Sequence, residues 1–523
     1  RDHALRRLDE AWESLAPWNT LNRRLAIEAS LEAGDATRIA AWVEQTRLPE
    51  GEGEVFLAWG VLLEGDVMEA LRLLAALPQT NPRVGYLQAL ALVEQGRWAE
   101  AQPWITRTET LLPGRVEIEV ARARTEVRLG NALTALGKLT ALAEFEPYAP
   151  RAWTGLGEAH LLQKEPDLDE AERVLQRAVE REPVPADALL LLANVAMLRD
   201  PKGPKARLAA LRLLERATEA NARLPKFGEA LALHLAELGL LVRAREALEH
   251  GLDRPGAGAA IPLALAGVLT RELDPQLETI DALLQRAEDR SAPEGVLAVA
   301  RAQLLLLQGD EDALTQADRV IVAQLGRQPT DVVAHSLRVR ILLARRDIAG
   351  AETALRRGLA AVEAGNKGRL YFEWARLESK TGRRKTAAPR SRRAWVELLT
   401  EQREAWVLLD AADLSVRMWL RSKMERVATT IAHQLTDRLS YHSRAWTIRA
   451  RAQLAAGEAG DACKSADKAV ALDAEDPQAH EVRGDCLLRF GSRDKAKASY
   501  ERAVSLAKGT SAEAGFRKHL RRL

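Results

Sequence analysis

The sequence predicts an all-α protein built as an array of helical hairpins, an α-solenoid. The first observation is the i, i+3, i+4 and i+7 spacing of one helix face, shown by Trp153, Leu156, Gly157 and His160. The second is that positions of this unit recur along the chain at intervals of 34 residues. The third is a composition with 4% aromatic residues and few stretches of period-two alternation, which favours helices throughout and no sheet.

A second helix follows in the same stretch, after a break that contains proline and aspartate. Ala171, Leu175 and Ala178 have the i, i+4 and i+7 spacing of its inner face, and Pro183 is expected to end it. Small residues at Gly157, Ala171 and Ala178 let two antiparallel helices approach closely. Leu175 and the tryptophan of the first helix then fill the space between them.

This stretch resembles the tetratricopeptide repeat, with the pattern W-x2-L-G-x2-[aromatic], then A-x3-[large]-x2-A and a final proline. His160 occupies the aromatic position, and the turn has two extra residues. The resemblance implies a right-handed superhelix of about fourteen helix–turn–helix repeats, preceded by half a repeat. It also implies that the first helices line a concave groove in which ligands bind.

The N-terminal repeats follow this pattern loosely. Residues 1–16 are typical of a second helix without its first, and residues 19–33 and 35–47 form the next pair. The acidic GEGE at 51–54 is expected to be a flexible connection, and the helical pattern restarts at Phe56.

The register becomes regular after residue 84. Gly85, Glu119 and Trp153 occupy the first position of successive repeats and are spaced by 34 residues. Pro113 and Pro147 share the position that ends a repeat. These positions keep residue size and spacing, although only the repeat of Trp153 has the full consensus.

The quality of the pattern divides the chain into four parts. The middle is weakest because RPGAGAA at 254–260 and DP at 274–275 interrupt it, and a hinge or a domain boundary is expected near 252–262. The insertion DPKGPK at 200–205 is expected to be a loop. The parts are an N-terminal repeat array at 1–252, degenerate repeats with the hinge at 253–330, a C-terminal repeat array at 331–510 and a capping helix at 511–523.

The last two repeats are regular, with Trp446 and His480 spaced by 34 residues. The basic, amphipathic FRKHLRRL at the end is typical of a helix that solvates the end of a solenoid. The two cysteines, Cys463 and Cys486, lie within predicted helices. Two small core thiols are expected there in preference to one bridge between the helices, so the cysteines do not decide the compartment.

No catalytic or metal-binding pattern is found. The histidines form neither H-x3-H nor HExxH, the cysteines do not form C-x2-C, and GxSxG and GxGxxG are missing. We therefore expect no enzyme activity, no cofactor and no metal. One tetratricopeptide subclass binds C-terminal carboxylates with a Lys/Asn/Arg clamp, but only Asn194 follows a small position here, and Leu190 replaces the lysine.

The charge balance excludes a general nucleic-acid or membrane-surface protein. Lys and Arg total 76 against 74 Asp and Glu, a net charge of +2 that is typical of a solvated helical surface. No run approaches 18 apolar residues, so no membrane span is predicted. One basic run, RRKTAAPRSRR at 383–393, is either a solvated turn and helix face or a patch for an acidic partner, a lipid headgroup or nucleic acid.

The predicted function is that of a protein–protein interaction scaffold or adaptor, which docks a partner segment in its groove and helps to assemble a multiprotein complex. The expected partner is another protein with an acidic or amphipathic segment, because basic side chains recur at groove positions. An equal alternative is that these arginines pair with neighbouring glutamates and only solvate the groove. The candidate groove residues are Arg340, Arg369, Phe372, Arg376, Lys380, Arg444 and Arg451.

Two other functions stay open. The chain begins at Arg1 rather than methionine, within half a repeat, so a signal, an anchor or further repeats are expected before it. The chain could then be the non-catalytic repeat portion of a larger enzyme or of a membrane-anchored protein, in the cytoplasm or the periplasm. The second alternative is a basic groove that binds nucleic acid or another polyanion, although no specific nucleic acid is expected because aromatic residues are sparse.

Overall fold

A computed structural model describes residues 12, 20–32, 36, 38–64, 66–95, 97–114, 116–145, 150–180, 184–201, 203–220, 225–254, 257–363, 365–400 and 404–521. These residues form 29 α-helices and no β-strand. None of the helices in this part of the chain is both long and apolar enough to cross a membrane. The predicted all-α class is confirmed.

The chain divides into two compact units. The first unit contains residues 1–231 and 253–257, and the second contains residues 232–252 and 258–523. The helices of the first unit are α1 (Thr20–Glu32), α2 (Ile39–Glu44), α3 (Glu52–Leu63), α4 (Val67–Ala75), α5 (Pro82–Glu94), α6 (Trp98–Leu111), α7 (Val116–Arg128), α8 (Ala132–Phe145), α9 (Pro150–Leu161), α10 (Leu168–Val179), α11 (Ala186–Arg199), α12 (Pro204–Ala220) and the start of α13 (Pro225–Leu238).

The second unit contains the end of α13 and the remaining helices. They are α14 (Leu241–Leu252), α15 (Ala260–Leu269), α16 (Leu277–Asp289), α17 (Glu294–Gln308), α18 (Glu311–Arg327), α19 (Val332–Ala344), α20 (Ile348–Ala361), α21 (Gly368–Lys380), α22 (Arg384–Thr400), α23 (Ala405–Arg421), α24 (Glu425–Arg438), α25 (Ser443–Ala455), α26 (Ala459–Leu472), α27 (Pro477–Arg489), α28 (Arg493–Leu506) and α29 (Glu513–Leu520).

The helices pack as successive hairpins. From α1 to α12 and from α15 to α28, each odd-numbered helix is the first helix of a repeat and packs against the even-numbered helix that follows, as in α9–α10, α21–α22 and α25–α26. First helices also contact the first helices of adjacent repeats, from α5 to α11 in the first unit and from α17 to α27 in the second. This is the arrangement of an α-solenoid, and pairing α1–α28 agrees with the expected repeat number of about fourteen.

The repeat at Trp153 has the predicted register. Trp153, Ala171, Leu175 and Ala178 are buried in one core cluster that α9 and α10 share with α11. A Cβ atom on Gly157 would lie 2.4 Å from Cγ of Leu175, so only glycine lets the two helices approach this closely. The sequence pattern of small and large residues therefore identified the helix contact correctly.

Aspartate side chains begin several helices by accepting a hydrogen bond from a free backbone N–H of the first turn. Asp167 accepts from the amide of Glu170 at 3.1 Å at the start of α10, and Asp310 accepts from Ala313 at 2.8 Å at the start of α18. Each of these caps fixes the residue at which its helix begins, and so the residue at which the preceding loop ends.

The expectation of a flexible connection at 51–54 is wrong. Gly51 has a φ of +79° and precedes α3, which begins at Glu52. Glu52 and Glu54 lie in the first turn of α3. Their negative charges there complement the positive end of the helix dipole, so an acidic stretch favours a helix start at this position.

Other predicted breaks agree with the helix bounds. The predicted loop at 200–205 separates α11 from α12 only as far as residue 203, because Pro204 and Lys205 begin α12, and DP at 274–275 lies between α15 and α16. Helix pairs continue through 260–327, where the sequence pattern is weakest. The half repeat at 1–16 lies outside the described residues except for Trp12, and the helix-ending Pro147 and Pro183 also lie outside them.

The expectation of two core thiols is also wrong. Cys463 of α26 and Cys486 of α27 form a disulfide, with Cα atoms 5.3 Å apart. The first helix of one repeat packs on the second helix of the previous repeat, and this brings the two side chains together. After α28, Phe516 of α29 is buried against Ala503 and Ala507.

Candidate functional site

The predicted groove residues lie on three first helices of the second unit. Arg340 is on α19, while Arg444 and Arg451 are on α25. The others are on α21 and are Arg369, Phe372, Arg376 and Lys380. In the row of first helices, α19 is next to α21, and α23 lies between α21 and α25. We name the surface that these predicted residues and α23 form the arginine face.

Part of the arginine face lines a cavity of about 300 Å³. Arg376 and Lys380 enter its lining from α21, and Arg444 enters from α25. Helix α23 contributes most of the remaining wall. The other lining residues are Ser379, Asp410, Asp413, Leu414 and Arg417.

Both aspartates of the cavity are already paired. Arg444 Nη2 lies 2.9 Å from Asp410 Oδ1, and Arg417 Nη2 lies 2.9 Å from Asp413 Oδ2. Lys380 is exposed and has no ion pair with any residue that the structure describes. The cavity therefore presents positive charge that its own carboxylates do not fully neutralise.

Arg340 is a second source of unneutralised charge. Burial lowers the pKa of its guanidinium, and the carboxylate of Glu373 opposes this shift. The positive charge of Arg376 lowers this pKa further. The negative charge of Asp410 raises it, and the positive charge of Arg369 lowers it. Within the described part of the chain, Arg340 forms no hydrogen bond or ion pair. A negatively charged group placed beside it would relieve this electrostatic cost.

The ring of Phe372 packs against the guanidinium of Arg376. Its ring is only 4% exposed, and the guanidinium carbon of Arg376 lies 4.8 Å from the ring centroid. Arg376 Nε also lies 3.5 Å from Oε2 of the buried Glu373. These contacts restrain Arg376 on α21. A direct contact between Phe372 and a partner stays a prediction.

Arg451 lies outside the cavity lining. Its Nη2 is 3.0 Å from Oε2 of Glu481 on α27, the first helix of the next repeat. At this position the structure matches the alternative in which groove arginines pair with neighbouring glutamates.

The sequence did not reveal a further cation near this surface. The guanidinium carbon of Arg271, which follows α15, lies 5.2 Å from the ring centroid of Trp406, and Arg444 lies 5.9 Å from the same ring. Trp406 Nε1 donates a hydrogen bond of 3.1 Å to the carbonyl of Ala236. These residues come together only in the folded second unit, so no local pattern could have predicted the contact.

The basic run at 383–393 is largely engaged by its neighbours. Arg383 lies 2.8 Å from Glu352, and Arg390 lies 3.0 Å from Glu378 and 4.0 Å from the ring centroid of Trp374. This arrangement favours a solvated helix face over a binding patch. Among the described side chains of the run, the exposed basic ones are Arg383, Lys385, Arg392 and Arg393, of which Arg393 donates to the Tyr371 hydroxyl at 3.0 Å.

Three segments of the chain match the family model described as tetratricopeptide repeat, at residues 120–168, 167–222 and 444–512. The first two matches include the repeat of Trp153, and the third includes the last two repeats. No protein in a search of curated proteins matches the chain.

Solved structures align with nearly the whole chain at low identity. One is "Crystal structure of APC/C hetero-tetramer Cut9-Hcn1", with 14% identity, 98% of this chain and 97% of that chain covered, and a TM-score of 0.34. Another is "Structure of Naa15/Naa10 bound to HypK-THB", with 14% identity, 96% of both chains covered and a TM-score of 0.32. A third is "Human IFIT1 dimer with m7Gppp-AAAA", with 16% identity, 92% of this chain and 100% of that chain covered, and a TM-score of 0.39.

These structural similarities are weak. The identification of tetratricopeptide repeats therefore depends on the sequence matches together with the hairpin arrangement of the described helices. From these matches, the segments at 120–222 and 444–512 are tetratricopeptide repeats, and the described helices before, between and after them are stacked in the same hairpin arrangement.

Proposed function

We propose that this chain is a non-catalytic scaffold that docks an acidic segment of another protein on the arginine face of its second unit. The observation that carries the proposal is the excess of cations there. The acidic groups are Glu373, Asp410 and Asp413, and the cationic groups are Arg340, Arg369, Arg376, Lys380, Arg417 and Arg444.

The helical framework supports a docking role because it is formed before the partner arrives. Arg376 is held by Phe372 and Glu373, and Arg444 is held by Asp410. A partner would therefore lose little binding free energy to the ordering of these side chains. Tetratricopeptide scaffolds are generally non-catalytic, which agrees with a binding role.

The electrostatic field of the arginine face would select the partner. Like charges beside a weakly polarisable helix surface attract an acidic segment and repel a basic one. Arg340 adds specificity because it is partly buried, so a carboxylate that reaches it would be shielded from solvent.

Charge reversal tests this proposal. The probe is a terminally blocked amphipathic peptide with glutamates on one face and one phenylalanine, and we call it the acidic probe peptide. We expect the double variant Arg376→Glu/Lys380→Glu to bind it at least ~10-fold more weakly than the wild type, since two attractive charges become repulsive. Isothermal titration calorimetry measures the affinity, and circular dichroism checks that helicity and melting are unchanged.

A matched control reverses two exposed charges of the basic run, in the variant Lys385→Glu/Arg392→Glu. It should bind the peptide like the wild type. Equal affinity of the Arg376/Lys380 variant and the wild type, with the same salt dependence, would overturn the proposal. Tight binding of single-stranded RNA with a steep salt dependence and full competition against the peptide would favour the polyanion alternative instead.

A further inference from the structure

Two parts of the second unit that are distant in the sequence contact each other directly. Trp406, in the first turn of α23, donates a hydrogen bond of 3.1 Å from Nε1 to the carbonyl of Ala236, near the end of α13. The ring of His442, the residue before α25, approaches the same indole almost perpendicularly, with ring centroids 5.1 Å apart. The end of α13 therefore lies against the start of two first helices from later repeats.

The turn after α13 is packed tightly against His442. Gly239 has a φ of +83°, and a Cβ atom there would lie 2.6 Å from Nε2 of the His442 ring. This ring is 2% exposed, and its Nδ1 accepts a hydrogen bond of 3.2 Å from the amide of Arg444. Any side chain at position 239 would therefore push against the residue that caps α25. We name the contact of Ala236 and Gly239 with Trp406 and His442 the clasp.

A second contact joins neighbouring parts of the same unit. Leu273, in the loop after α15, packs against the buried cluster of Ala503, Ala507 and Phe516. That cluster belongs to the last repeat and to α29. The helices from α13 to α15 are thus held against later repeats by an apolar contact as well as by the clasp, and the second unit is closed on itself.

Closure brings a cation from a distant repeat to the arginine face. The guanidinium carbon of Arg271 lies 5.2 Å from the ring centroid of Trp406, and that of Arg444 lies 5.9 Å from the same centroid. Trp406 shares one face of α23 with Asp410 and Asp413 of the cavity, because the three positions are spaced by four and three residues. Arg271 and the arginine face therefore meet at one indole.

Arg271 lies in a recess that stays open to solvent. Its side chain is exposed, and Nη1 donates a hydrogen bond of 2.8 Å to the carbonyl of Gly267 in α15. The surrounding protein desolvates the guanidinium and lowers its pKa, although Glu404, Glu237 and Asp410 act to raise it. Among the described residues Arg271 forms no ion pair. Its positive charge is therefore accessible to an acidic ligand and only partly compensated.

We propose that the clasp couples closure of the second unit to occupancy of the arginine face, with Arg271 as an added specificity residue. Arg271 reaches the arginine face only while the clasp is closed. An acidic segment that Arg271 attracts therefore binds the closed form more tightly than the open form. The inference rests on the function proposed above for its ligand, and it adds a determinant of binding in the repeats of α13 to α15.

A double-mutant cycle tests the coupling, with the acidic probe peptide as the ligand in calorimetry. We expect Arg271→Gln to weaken binding ~3-fold, since it removes one exposed attractive charge. Gly239→Ala should weaken binding to a similar extent, because its methyl group opens the clasp at His442 and withdraws Arg271. The double variant Gly239→Ala/Arg271→Gln should also bind ~3-fold more weakly than the wild type, whereas independent effects would multiply to ~9-fold.

Three control variants separate the clasp and the charge from general damage. Gly309→Ala adds the same methyl group to a residue after α17 with a φ of +76°, where a Cβ atom would meet nothing closer than 3.8 Å. Arg319→Gln removes an exposed arginine of α18. Both should bind the peptide like the wild type. Arg271→Lys keeps the positive charge and should retain most of the affinity.

Hydrogen exchange of the free chain checks the clasp without any peptide. The end of α13 and the start of α25 should exchange faster in Gly239→Ala than in Gly309→Ala, because only the first variant strains the contact with His442. Equal exchange in the two variants would overturn the inference. Arg271→Lys binding as weakly as Arg271→Gln would also overturn it, because the residue would then act through packing and not through charge.

The outcome of the cycle separates this inference from the proposed function. If the wild type binds the peptide and Gly239→Ala binds it equally well, or if the two substitutions have multiplying effects, the coupling is wrong and docking on the arginine face stands. If the wild type does not bind the peptide, the proposed function is wrong, and the inference that rests on it is wrong as well.

Discussion

Replacing Gly157 with leucine is expected to destabilise the repeat of α9 and α10 by ~3 kcal/mol. Even a Cβ atom at this position would lie 2.4 Å from Cγ and 2.6 Å from Cδ2 of Leu175. Leu175 is fully buried between its neighbours, so it cannot move aside without disturbing them. Urea unfolding measures the overall loss, and amide hydrogen exchange should show that it is greatest in α9 and α10.

A glycine in the adjacent helix provides the control. Gly137 of α8 is exposed, and a Cβ atom there would meet nothing within 4 Å. Gly137→Ala should leave stability unchanged or raise it by up to ~1 kcal/mol, because alanine favours the helix. Identical urea midpoints for Gly157→Leu and the wild type would show that the assigned register of α9 and α10 is wrong.

Replacing Lys226 with methionine should have the next largest effect, a loss of ~2 kcal/mol. The variant leaves Glu94 and Asp187 partly buried without their shared cation, and isolated buried charges are strongly unfavourable. The expected loss of stability is smaller than for a fully buried ion pair because the three side chains retain 26–35% exposure. Urea unfolding at neutral pH measures the loss.

The pH dependence of this loss checks its origin. Burial would raise the pKa of Asp187, but Lys226 and Arg124 outweigh it and hold the pKa below its ordinary value. A lowered carboxyl pKa adds stability at pH values above the unfolded pKa of about 3.9, and this stability disappears as the pH falls through the folded pKa. The difference between the wild type and Lys226→Met should therefore shrink as the pH falls below ~4.

A second variant removes the carboxylates as well. Lys226→Met/Glu94→Gln/Asp187→Asn should recover most of the lost stability, because no charge is left unpaired. If the triple variant is no more stable than the single one, or if the loss is the same at every pH, the methionine acts through packing and not through charge.

The local part of the fold could be predicted from the sequence because each repeat packs mainly on itself and its neighbours. Gly157 and Leu175 meet between the two helices of one repeat, so spacing alone identified the hairpin. The start of α3 was missed because a glycine-rich acidic stretch is typical of both loops and helix starts. The disulfide was missed because a spacing of 23 residues does not specify how two helices meet.

The functional surfaces were predictable only in part. The prediction of the arginine face follows from basic residues one after and six before the small position in three repeats, but the aspartates of α23 that neutralise some of it occupy no predicted groove position. Contacts such as Lys226 with Glu94, or Trp406 with Ala236, join residues 132 and 170 positions apart. Such contacts depend on small rotations that accumulate from repeat to repeat, and no local pattern encodes them.

The most direct test of the central claim is hydrogen–deuterium exchange of the intact chain with and without a saturating concentration of the acidic probe peptide. Docking on the arginine face predicts slower exchange in the first helices α21, α23 and α25. The second helices α22, α24 and α26 should exchange as in the free chain. Protection confined to those second helices, or no change in the second unit while calorimetry shows binding, would contradict the account.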